Sequence, residues 1–204
     1  MASSRAKDLF LLVSNAAIQL VWLRVLLGFT SIDKDEATFQ EFIRPRIITA
    51  LAVSGLELLN SLLGLTKSKP HQVFLFSATR MGVELLLAPL IPCKSPEHLI
   101  TVFCWSLDGI CRFGCFGLDA ALSLCGIPSW PIIKSIRYTV GPLLFPIGAG
   151  GEMFMNIRAA KDNRPVLYFT ASLWPLFFYP LMKQLLKQRK KYFKKLADEK
   201  IKQT

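Results

Sequence analysis

No two cysteines in this chain stand as C-x-x-C, and neither of its two histidines lies at ligand spacing beside any of the five cysteines. The usual zinc and redox-dithiol patterns are thereby excluded, and no metal or organic cofactor is implied. Cys104, Cys111 and Cys115, gathered in one apolar segment, read instead as reduced, small apolar fillers. None of the cysteines opens a C-x5-R loop, so the phosphate cradle that such a loop builds at a helix start is missing as well. Acids are scarce, 14 against 25 Lys and Arg, for a formal net charge of +11. That excess does not point to nucleic acid, because it is concentrated at one end and lacks interleaved stacking aromatics beyond Tyr192 and Phe193. No A-x-A-like cleavage site follows the apolar run from Leu9 to Phe29, which reads as a first span rather than a cleaved signal peptide. With short loops and no detectable inverted repeat, a transporter or channel is disfavoured.

What the chain does have is apolar surface, too much for one water-soluble core: 52% of its 204 residues are hydrophobic, and the mean hydropathy is +0.39. It reads as a polytopic membrane protein. A spanning helix takes about 20 residues, so six would use roughly 120 and leave no room for a soluble domain. The expected fold is all-α, with six transmembrane helices around a central cavity in residues 1–187 and a basic tail in 188–204. The spans fall at about Leu9–Phe29, Ile47–Leu65, Val73–Leu90, Leu99–Leu118, Arg137–Glu152 and Val166–Leu186. The link S-I-D-K-D-E-A-T-F-Q-E-F-I-R-P-R, whose charges nearly cancel, reads as a lumenal loop. From Lys183 onward nine Lys and Arg face only Asp198 and Glu199, the usual mark of a cytosolic end, where the tail also meets anionic lipid. Counting back through six spans places the amino terminus in the cytosol too. The lysines of T-K-S-K-P-H agree; Lys161 and Arg164, in an expected lumenal loop, run against the bias.

Every span but the sixth has a charge near its interior, more than an inert bundle tolerates. Arg80 and Glu84 are four residues apart, as are Asp108 and Arg112, so each pair shares a helix face and allows an internal ion pair. Glu57 and Glu152 have no close sequence partner and are the stronger site candidates. Glu152 ends the stretch R-Y-T-V-G-P-L-L-F-P-I-G-A-G-G-E, where steps of seven would align Tyr138, Phe145 and Glu152 with about 20° of drift each. Phe145 and Glu152 are then roughly 10 Å apart along the axis. The alternative is a span that ends near Gly151, weakened by its glycines, with Glu152 among the headgroups.

These residues resemble the eukaryotic very-long-chain (3R)-3-hydroxyacyl-CoA dehydratases, also called protein tyrosine phosphatase-like proteins. The resemblance covers nearly the whole chain. It is carried by L-E-L-L-N-S-L-L-G-L around Glu57, Arg80 in S-A-T-R, Trp105 to Arg112, P-S-W at 128–130, and R-Y followed by P-x-G-x-x-x-E, which includes Arg137, Gly148 and Glu152. It implies a six-span endoplasmic-reticulum protein with both ends cytosolic, acting as a lyase on acyl-CoA in fatty-acid elongation, beside other elongation enzymes. The family's catalytic tyrosine and glutamate match Phe145 and Glu152, and Glu57, Arg80, Arg112, Arg137 and Gly148 would line the substrate. Phe145 has the ring without the hydroxyl, while Gly109 and Phe113 replace a family acid and tyrosine in W-S-L-D-G-I-C-R-F. Tyr138 is a possible substitute for the lost hydroxyl. The resemblance thus leaves two readings, a weakened dehydratase or a catalytically silent paralogue that scaffolds or regulates the elongation enzymes.

The last five residues, Lys200-Ile201-Lys202-Gln203-Thr204, resemble the K-x-K-x-x retrieval signal of resident endoplasmic-reticulum membrane proteins, which is read from the cytosol. Changing both lysines to serine in a tagged protein is expected to redistribute it. Unchanged residence removes the retrieval signal, and a tag protected from protease in sealed microsomes overturns the topology.

Overall fold

The computed structural model describes residues 2–29, 36–66, 68–92, 94–162 and 166–201, and among these the regular structure is helical throughout. Helix α1 is Ala2–Gly28. A short α-turn, Glu36–Thr38, and a π-helical turn, Phe39–Ile43, lead into α2, Arg44–Leu62. Helix α3, Pro70–Gly82, continues through a second π-turn, Val83–Leu87, and a 3-10 turn, Ala88–Leu90. Then come α4 (Pro96–Leu124), α5 (Pro131–Asp162) and α6 (Val166–Ile201). Helix α6 runs unbroken across the expected junction at 187–188. Lys67 of T-K-S-K-P-H, the fifth cysteine, Cys93, and Arg164 and Lys202 lie outside the described residues; Cys104, Cys111, Cys115 and Cys125 are free.

Among the described residues three segments, Arg5–Gly28, Pro70–Leu90 and Pro96–Leu124, are long and apolar enough to cross a membrane. The chain is a membrane protein. A helix suits that solvent because every backbone N–H and C=O is satisfied within the segment. The burial pattern agrees: Val13, Leu20, Leu143 and Phe154 face outward, while Asn15, Asn60, Glu84, His98 and Glu152 are buried.

Local sequence sets the ends of the helices. Pro70, Pro96 and Pro131 each open one, where a missing N–H costs nothing. Gly64 and Gly126, at φ of +67° and +71°, take the left-handed conformation that closes α2 and α4. The N–H groups of Leu65 and Ile127 reach back to the carbonyls of Asn60 and Leu122, as a Schellman cap requires. The glycines of the fifth span do not end it. Helix α5 continues past Gly151 and through Pro142 and Pro146 to Asp162, and Glu152 is buried inside it.

Helix α4 is the post of the bundle, packed along α1 on one side and α5 on the other. Small residues permit the close approach. A Cβ on Gly109 would come within 2.5 Å of the Trp22 ring on α1; on Gly148 it would stand 3.2 Å from the Cys104 Cβ; on Gly151 it would meet Thr101 Oγ1 and lie 2.9 Å from the Glu97 carbonyl. The core around this post joins Ile18, Trp22 and Val25 of α1 to Ile47 and Leu51 of α2, Trp105 and Phe113 of α4, and Met155 of α5.

Two expectations fail here. The link expected as a loop is helical from Glu36 onward, because Phe39 and Ile43 enter the core. The ion pairs expected within α3 and α4 are not formed. Arg80 pairs with Asp108, 3.1 Å away on the next helix, and Arg112 pairs with Glu57 on α2. Glu84 sits in the π-turn, fully buried, with His98 Nε2 at 3.1 Å and Arg44 Nε at 3.5 Å. A surface pair at i, i+4 adds only about 0.2–0.5 kcal/mol, whereas leaving a buried charge unpaired costs roughly 3–5 kcal/mol, so interhelical pairing prevails.

The α4–α5 crossing can be tested with two neighbouring glycines. Gly151→Ala is expected to lower the thermal stability of the detergent-solubilised protein by about 1–3 kcal/mol through overpacking. Gly150→Ala, with no neighbouring atom within 4 Å of the new Cβ, should be neutral or slightly stabilising. Equal effects from the two would refute the close crossing.

Candidate functional site

A cavity of about 1180 Å³ lies among the helices, and Glu57, Arg80, Arg112, Arg137, Tyr138, Phe145, Gly148 and Glu152 all reach its wall. Asp8, Lys69, Ser123 and Gln188 line it as well, with Leu86, Leu87, Cys104 and Asn156. Sequence positions spread over four helices therefore share one space. Among the described residues no group of three or more His, Cys, Asp or Glu is gathered as a metal site.

Glu152 is 6% exposed and accepts a hydrogen bond from Trp105 Nε1 at 2.9 Å. Two glycines set that contact. Gly148 and Gly151 let α5 close against α4, bringing the carboxylate to the indole that α4 presents. One turn after Glu152, Asn156 donates to the Glu152 carbonyl at 2.9 Å. The role of Trp105 escaped the sequence reading, which used the W-S pair only as a motif. No periodicity on one helix reveals a donor supplied by another.

The Trp105 ring also meets Arg80, whose guanidinium carbon lies 5.6 Å from its centroid and 5.3 Å from that of Phe76. The Arg80–Asp108 pair lies on the cavity wall, its side chains 15% and 19% exposed. Glu57 and Arg112 form a second pair there. Glu57, which has no close partner in sequence, is thus neutralised across helices. Arg137 makes no ion pair among the described residues; its guanidinium lies 4.7 Å from the Phe116 ring and donates to Tyr138 Oη at 3.2 Å.

Phe145 is held by rings. Phe178 of α6 stacks on it at 5.3 Å with 1° between planes, and Phe76 of α3 leans on it at 5.5 Å. Tyr138 is stacked at 4.9 Å on Tyr192 of α6. Fourteen residues of helix separate it from Glu152, roughly 21 Å along the axis. The structure brings Tyr138 and Glu152 to the same cavity and not to the same point of it.

Gly109 has a steric explanation. Its missing side chain would occupy the place of the Trp22 ring, which is fixed by a 3.0 Å hydrogen bond from Nε1 to Ser54. The acid one position earlier, Asp108, points about 100° around the helix and reaches the cavity instead.

The family model described as "Protein tyrosine phosphatase-like protein, PTPLA" matches residues 51–195. A curated relative from Schizosaccharomyces pombe (strain 972 / ATCC 24843), named "Probable very-long-chain (3R)-3-hydroxyacyl-CoA dehydratase", is 26% identical over 204 aligned residues, 92% of this chain and 94% of its own. No solved structure matches the chain. The matched region holds every residue of the cavity constellation from Glu57 to Glu152, and the chain belongs to the protein tyrosine phosphatase-like protein family, the very-long-chain (3R)-3-hydroxyacyl-CoA dehydratase family that its motifs resemble.

Proposed function

We propose that the protein is a multi-pass endoplasmic-reticulum membrane enzyme that dehydrates very-long-chain 3-hydroxyacyl-CoA to trans-2-enoyl-CoA, slowly, with Glu152 as its proton carrier. The observation that carries this is the buried Glu152 carboxylate, hydrogen-bonded to Trp105 at the wall of a cavity that also holds paired arginines. Dehydration needs a base for the proton alpha to the thioester, a donor for charge growing on the thioester oxygen, and a proton for the departing hydroxyl. Glu152 serves the first need. Glu57, Arg80, Arg112, Arg137 and Gly148 form the lining that seats the substrate.

In this reading all six long helices span the bilayer around a central cavity open to the cytosol. Both termini are cytosolic and the basic end of α6 faces anionic lipid. Lys69 and Gln188 then sit at the cytosolic mouth, and Tyr138 on the way in, where it orients substrate rather than replacing the acid. Retention through Lys200 and Lys202 and contact with other elongation enzymes complete the proposal.

A second reading, a silent paralogue that scaffolds or regulates elongation enzymes, draws on one observation. The ring of Phe145 is committed to Phe76 and Phe178 and offers no proton. Purified protein assayed with a 3-hydroxyacyl-CoA separates the two. Low wild-type turnover, abolished by Glu152→Ala and raised on the order of 10²-fold by Phe145→Tyr, is expected for the enzyme, because one general acid contributes about 10²–10⁴. No turnover by either wild type or Phe145→Tyr supports the scaffold. Fast wild-type turnover would show that another residue already serves as the acid.

A further inference from the structure

One cavity charge has no part in the reaction as described so far. Asp108 faces the cavity from the position before Gly109 and accepts a hydrogen bond from Arg80 at 3.1 Å. Resting on the dehydratase reading, we propose that Arg80, aimed by Asp108, supplies the hydrogen-bond donors that Phe145 lacks, so that Glu152 alone moves the proton and Asp108 is the positioning residue.

Three observations place the guanidinium for this work. It lies against Phe76, whose ring touches Phe145, and against Trp105, whose indole binds Glu152. It therefore bridges the neighbours of the missing hydroxyl and of the carboxylate. Arginine has five N–H donors in a rigid fork, and Asp108 is the protein acceptor that the structure gives it among the described residues, which leaves donors for a ligand. An acid at position 109 would not serve, because Trp22 fills that space. Moved to 108, the carboxylate meets Arg80 and fixes a side chain that would otherwise be free to turn.

The chemistry balances with one carboxyl. The Glu152 carboxylate takes the proton from C2 of the 3-hydroxyacyl thioester. The electron pair of the broken C–H bond moves into C1–C2, and the charge gathers on the thioester oxygen, where Arg80 N–H groups donate. The pair then returns to form C2=C3 as the C3–O bond breaks, and the hydroxyl leaves as water with the proton that Glu152 holds. Glu152 is again a carboxylate, and nothing is oxidised or reduced. Arginine keeps its protons throughout, as its chemistry demands.

The test uses the full-length protein in detergent, with Asp108→Asn, Asp108→Glu and Arg80→Lys made in both the wild-type and the Phe145→Tyr background. Asp108→Asn is expected to lower kcat about 10–100-fold with KM little changed, since a donor that loses its aim loses transition-state contact. Asp108→Glu should recover much of that loss, and Arg80→Lys should resemble Asp108→Asn. In the Phe145→Tyr background the same changes should cost far less, because a second donor is present and the effects are not additive. As a second measurement, deuterium exchange at C2 of a saturated acyl-CoA reads proton removal without elimination, and Asp108→Asn should slow it equally. Unchanged kcat in Asp108→Asn, or an equal penalty in both backgrounds, overturns the role of Arg80 while leaving the dehydratase reading intact. Absence of both elimination and exchange in wild type and in Phe145→Tyr removes the dehydratase reading and this proposal together.

Discussion

Charge buried among apolar helices has to be matched across helix boundaries, and that constraint organises this molecule. Arg80 with Asp108 ties α3 to α4, Arg112 with Glu57 ties α4 to α2, and Glu84 gathers His98 and Arg44 beneath the end of α3. Each pair is a bolt whose removal would leave a charge in a medium that penalises it by several kcal/mol. The pairs fix which helices are neighbours. Because two of them line the cavity, the same bolts keep a polar surface inside an otherwise apolar bundle.

Close backbone approach is the second requirement, and glycine meets it. Helix α4 is pressed between Trp22 on α1 at Gly109 and the Gly148 and Gly151 stripe of α5. Without a hydrophobic drive between helices in lipid, such fits supply much of the association. The approach of α5 delivers Glu152 to Trp105, so packing and chemistry share the same contact.

The departures from the family motif are linked through this geometry. In the motif that the chain resembles a tyrosine stands at the place of Phe145, which here stacks on Phe178 with Phe76 tilted against it, and an acid at the place of Gly109, where the Trp22 indole packs. Asp108 turns a carboxylate into the cavity from the adjacent face. The Arg80 guanidinium, paired with Asp108, lies against both Phe76 and Trp105.

Much of the architecture was legible in the sequence because it depends on local physics. Apolar runs long enough for a bilayer and a carboxylate inside an apolar run are set by neighbours within a few residues. The motif order from Glu57 to Glu152 likewise points to the family. Other features were decided by the tertiary fold. Spacing of four put Arg80 beside Glu84 and Asp108 beside Arg112, yet both arginines found partners on other helices, because desolvation makes a buried charge seek the best-placed counter-charge rather than the nearest in sequence. The indole that binds Glu152, the ring that excludes a side chain at Gly109, and the two rings around Phe145 come from separate helices. Periodicity reports which face of a helix a residue occupies, and only packing determines what that face meets.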